Sequence, residues 1–134
     1  MTNPTLDEFI EQVEDIGIPE NTWLQHPQLE IYVRSSYRYF VTEGISVFKT
    51  PRRKTFELGN IIAKISNKEY FIDFIHELMR KLEKTNYEVL FIENVLTQRF
   101  ANFFINLGFT EHRQAQIDNP YPYPKSFYKE ITHD

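Results

Sequence analysis

Glu93 and Asn94 are the residues best placed for chemistry in this chain of 134 residues. They end a short apolar run, Tyr87–Ile92, that reads as a strand, and open α/β sheets place their ligands at the carboxyl ends of strands. A glutamate there can act as a general base or orient a water. Either residue can equally cap the helix that follows. The four histidines, His26, His76, His112 and His133, form no His-x-x-x-His or carboxylate cluster, so no metal site is expected. Cysteine is absent. That removes disulfides, thiolate metal sites and a cysteine nucleophile, and agrees with a reducing compartment. There is no G-x-S-x-G motif and no serine with a histidine partner by motif.

A second group of residues has the composition of a nucleic-acid surface. Arg52, Arg53 and Lys54 fall together, with Arg34, Arg38 and Lys49 on neighbouring strands and Tyr32, Tyr37 and Tyr39 between them. A pI of about 5.6 favours the plainer reading, a charged hairpin tip that protects a sheet edge. Nucleic acid is therefore not the expected partner. Tyr121 and Tyr123 alternate with Pro120, Pro122 and Pro124, as in a groove lining or a stiff connector.

The elements that must position these residues follow from periodicity. Leu6, Phe9, Ile10, Val13 and Ile16 form one stripe of a helix that starts at Thr5 or Asp7 and stops at Gly17. Ile18–Gln28, punctuated by Pro19 and Pro27, reads as irregular. Glu30–Ser36, Tyr37–Val41 and Gly44–Lys49 have strand composition, and Thr50–Arg53 reads as a hairpin loop into a long strand, Thr55–Lys64. Ser66–Lys84 is the clearest helix, with Phe71, Phe74, Ile75, Leu78 and Leu82 inward and a capping box from Ser66 to Glu69. Because that helix joins two strands, Thr55–Lys64 and Tyr87–Ile92 are expected as parallel neighbours with a right-handed crossover. A further helix, Thr97–Asn106, turns Phe100, Phe103, Phe104 and Leu107 inward and closes at Gly108. Strands over Phe109–Arg113 and Ser126–Thr132 complete the chain.

This order describes one α/β domain over residues 1–134. Residues 1–28 form an acidic helix and an irregular segment, and residues 29–134 form a mixed sheet with helices on its faces. Hydrophobic residues make up 41% and aromatic residues 16%, enough for a sizeable core in a short chain. The net charge of −4 is unevenly spread: residues 1–30 carry seven acids and no Lys or Arg. That acidic segment is a solvated helix face or an arm that shields a basic groove. The apolar runs are too short to cross a bilayer and no leader pattern opens the chain, so a cytoplasmic protein without a membrane partner is expected.

Three segments resemble the GNAT acetyltransferase superfamily. The first is TFELGNIIAK (Thr55–Lys64) running into the Ser66–Lys84 helix. The second is YEVLFIENVLTQRFANFFINLGF (Tyr87–Phe109), similar to the family's strand followed by a helix that ends in Gly-Phe. The third is PKSFYKEI (Pro124–Ile131), similar to its closing strand. Glu93–Leu96 followed by Arg99 is nearest to the short members that bacteriophages and bacteria encode. The resemblance implies a mostly antiparallel sheet splayed between two parallel central strands, with acetyl-CoA in the split. The cofactor would lie along Ile61, Ile62, Ala63 and Lys64 and over the helix start at Ser66, Asn67, Lys68, Tyr70 and Phe71, where amides and the helix dipole favour a pyrophosphate. Arg99 and Phe104 would complete its site. Glu93, Asn94 and Glu57 become candidate catalytic residues. Glu57 resembles the family's strand glutamate, beside the plainer reading of a solvated strand-end carboxylate.

The implied function is transfer of an acetyl group to an amine of a small molecule or protein, with a homodimer among the assemblies left open. Against the family pattern, the loop at Ser66–Phe71 holds no glycine, Glu69 stands at the first glycine position, and Phe104 replaces a frequent tyrosine. A carboxylate in the first helical turn competes with a pyrophosphate for the same amides. These differences support an alternative: a GNAT-fold module without catalysis, such as a phage protein that docks on a host protein.

Overall fold

The computed structural model describes residues 3–13, 20–38, 52–63, 68–112 and 124–133, with the backbone alone for Ile62, Ala63 and Lys68. Helix α1 spans Leu6–Val13 and strand β1 spans Glu20–Leu24. Strand β2 is Leu29–Arg38 and β3 is Arg53–Ala63. Helix α2 is Lys68–Leu82, β4 is Val89–Val95, and α3 is Gln98–Asn106. Strands β5, Thr110–His112, and β6, Lys125–Glu130, follow. One six-stranded sheet runs in the order β1-β2-β3-β4-β6-β5. Among the described residues only β3 and β4 pair parallel, across the α2 crossover, and the other four pairings are antiparallel.

The helices share one face because their apolar stripes meet the same alternate strand residues. Phe9 of α1 packs edge-on against Phe56 of β3, and Phe104 of α3 stacks on Phe127 of β6. Phe74, Ile75, Leu78 and Leu82 of α2 join the same core as Ile31, Val33, Leu58, Leu90 and Ile92. Tyr87 is buried in it and donates from its hydroxyl to Ser35 Oγ at 2.6 Å, so the polar tip of this core aromatic is satisfied. On the opposite face Val89 and Phe91 form a smaller cluster with Tyr128. The acidic helix α1 docks on α2: Lys81 Nζ lies 2.8 Å from Asp7 and 3.0 Å from Glu77.

Several boundaries differ from the sequence reading. Glu20–Leu24, read as irregular, is the edge strand β1, paired residue by residue with Ser35 to Ile31. Leu29–Arg38 is one continuous strand where two were expected. The expected strand Gly44–Lys49, the Ser66 half of the capping box and residues 120–123 of the proline-rich connector lie outside the described residues. Among the described residues, no helix is long and apolar enough to cross a membrane.

Candidate functional site

The parallel pair β3–β4 is short, and its shortness creates the site. Thr55 to Leu58 pair with Val89 to Ile92, yet β3 continues to Ala63 and β4 to Val95 without further pairing between them. Both strands carry an extra residue where the ladder stops. On β3 the register against β2 passes from Leu58 opposite Val33 to Asn60 opposite Tyr32, leaving Gly59 over. On β4, Glu93 and Asn94 together face a single residue of β6, Ser126. An extra residue bends its strand and increases the local twist, and here both do so at the same level. The strands part as a wedge.

Two backbone features hold this geometry. A Cβ on Gly59 would lie 2.8 Å from Tyr32 Cδ2, so only glycine fits the bend without moving the ring. Asn94 has φ 59, the left-handed region that asparagine tolerates better than most residues. Its Nδ2 donates to the Gly59 carbonyl at 2.8 Å, spanning the wedge from lip to lip.

Inside the wedge is a cavity of about 430 Å³, a size ordinary for a small-molecule site. Leu58, Ile61 and Ile92 line its strand walls, and Phe71, Phe100 and Phe104 line the helical side. The Phe71 ring lies 4.9 Å from Phe100 and 6.0 Å from Phe104, a continuous aromatic floor. Asn60, Glu93, Asn94 and Thr97 supply the polar groups of the rim. Thr97 also caps α3, accepting from the Phe100 N–H at 3.3 Å. Capping of this helix therefore belongs to Thr97 and not to Glu93 or Asn94.

The sheet face opposite the helices carries the charged groups. Arg34 on β2 lies opposite Glu57 in the ladder and pairs with it at 3.4 Å; the same Nη2 hydrogen-bonds Glu93 across β3. Arg38 Nε lies 3.6 Å from Glu57, and Ser36 donates its hydroxyl to the same carboxylate. Glu57 is 4% exposed, which corrects its reading as a solvated strand-end group. Burial alone would lower the Arg34 pKa, but the Glu93 hydrogen bond and the charges of Glu57 and Glu93 outweigh it and raise the value. Two guanidiniums thus balance two carboxylates. The Arg38 guanidinium also sits 4.1 Å from the Phe91 ring centre, whose edge meets His112. Burial, and then the Arg38 charge, lower the His112 pKa.

Of the residues expected to hold a cofactor, Ile61, Phe71 and Phe104 line the cavity. Ile62 and Ala63 extend β3 beyond the parallel ladder, paired to Glu30 and Leu29 on the β2 side. Tyr70 packs against the core, and Arg99 is exposed on the first turn of α3. Lys68 begins α2; Lys64, Ser66 and Asn67 lie outside the described residues. Of the catalytic candidates, Glu93 and Asn94 reach the rim, and Glu57 joins them through Arg34. Gly59, Asn60, Phe100 and the bridging role of Arg34 were not anticipated. A lone glycine in a strand pattern signals a bulge or a close backbone approach, and that signal was available for Gly59.

Fold and site together define a mixed α/β protein with a ligand-sized wedge between its parallel strands. No protein-family model matches the chain, and no curated protein matches it.

Proposed function

We propose that the wedge takes the pantetheine arm of acetyl-CoA and that the protein is a GNAT-type N-acetyltransferase. The observation that carries this reading is the parting of β3 and β4 after Leu58 and Ile92 over an aromatic-floored cavity. From Gly59 to Ala63 the β4-facing edge of β3 has no ladder partner on β4. An open strand edge binds an extended chain carrying amides, as in strand addition. Pantetheine is such a chain, thin enough for the wedge, with an apolar middle that suits Leu58, Ile61 and Phe71. Bound there, acetyl-CoA supplies an activated thioester carbonyl. Phe100 and Phe104 exclude water from the wedge floor. Glu93, on the rim, is placed to take a proton from an amine approaching along the face that carries Arg34, directly or through one water. Arg34 fixes the orientation of that carboxylate, and Glu57 fixes Arg34. Phe104 has no hydroxyl, so a proton for the leaving thiolate comes from solvent or another group.

The second reading is a GNAT-fold module that binds a protein partner without catalysis. It is favoured by the engagement of both candidate bases with arginine and by the carboxylate of Glu69 in the first turn of α2. One experiment separates the two. Calorimetry and thermal unfolding with millimolar acetyl-CoA are expected to show binding and a raised Tm, because a ligand of the native state alone must stabilise it. An unchanged Tm with no binding heat would reject the transferase and leave the docking module.

A further inference from the structure

The hydrogen bond from Asn94 to Gly59 joins the two lips of the wedge, beyond the point where the backbones stop pairing. We infer that Asn94 is an amide-selective latch: its carboxamide holds the Gly59 carbonyl and yields it to a ligand that carries an amide N–H. The inference rests on the acetyl-CoA reading and adds which part of the ligand opens the site. Asn94 holds a left-handed backbone, φ 59, which asparagine tolerates better than most residues. That conformation presents its carboxamide to the Gly59 carbonyl. The donor is a carboxamide N–H, the same chemical group as the amide N–H of pantetheine. Exchanging one for the other keeps the buried Gly59 carbonyl paired, whereas a ligand without a donor leaves it unsatisfied, at a cost in affinity. Selection therefore falls on the amide-bearing arm and not on the nucleotide.

Asn94→Gly tests this, because glycine adopts positive φ without strain and removes only the latch. Acetyl-CoA is expected to bind this variant about 3- to 10-fold more tightly than wild type by calorimetry, the equivalent of one competing hydrogen bond. Pantetheine should show the same gain and adenosine 3′,5′-bisphosphate none. Asn94→Asp, which replaces the donor by an acceptor, should reproduce the pantetheine gain if the glycine variant folds poorly. Acetyl-CoA affinity unchanged or weakened in Asn94→Gly overturns the latch while leaving the transferase reading intact. An equal gain for the bisphosphate also overturns it, since that would report general loosening. No binding of acetyl-CoA by wild type or either variant overturns both readings together.

Discussion

A methyl group at position 59 would stand 2.8 Å from Cδ2 of Tyr32, whose ring already packs on Trp23 at 5.4 Å and lies 5.7 Å from the Arg34 guanidinium carbon. Gly59→Ala is therefore expected to cost about 1–2 kcal/mol, the range for overpacking less the gain from a stiffer unfolded chain. A lower urea midpoint at unchanged slope is the measurement. His112 gives the second residue-scale expectation. It is held neutral by burial and by Arg38, so its folded pKa lies below the ordinary value of about 6.5. The unfolded chain binds more protons in the interval between the two values, so stability rises with pH there. This contribution is fully present above about pH 6.5 and is lost as pH falls through the folded value. Urea midpoints measured across that interval should show a shallower slope for His112→Gln than for wild type. The partnership of Arg34 with Glu57 and Glu93 could not be read from the chain, because a one-residue change of register would turn Arg34 to the other face. The bulge at Gly59 helps to set that register.

Helix α3 is short and owes its ends to named groups. Thr97 Oγ1 accepts the Phe100 N–H at the start, and at the end Gly108 has φ 92 while Lys129 Nζ donates to the Leu107 carbonyl at 2.7 Å. Thr97→Ala should cost about 1 kcal/mol, seen as a lower urea midpoint. Because Thr97 also stands on the wedge rim, the same variant should weaken acetyl-CoA binding if fraying of α3 lets Phe100 move. The helices were legible because each buries a stripe at helical spacing: Leu6, Phe9, Ile10 and Val13 in α1, and Phe74, Ile75, Leu78 and Leu82 in α2. The edge strand β1 was not. Its Glu20-Asn-Thr-Trp-Leu24 buries only Leu24, so it has no apolar alternation of its own and exists through its ladder with β2. The parallel relation of β3 and β4 was legible from the helix between them, whereas their early parting was expected only from the family resemblance, since no periodicity reveals two bulges meeting at one level.

At the scale of the whole molecule, the proposed occupation of the wedge would make ligand binding and stability one equilibrium. Acetyl-CoA at about 100 times its Kd should add about 2.7 kcal/mol to unfolding. The strand order places β6 between β4 and β5, so β5 pairs with β6 alone and Phe127 completes the core under Phe104. Vectorial synthesis therefore cannot finish the sheet in the order in which it is made. While the ribosome still holds residues 125–130, β5 has no hydrogen-bonded neighbour, and Phe91 and Phe104 face an unfilled slot. Closure of the sheet thus waits on β6, which is made after both of the strands it must join.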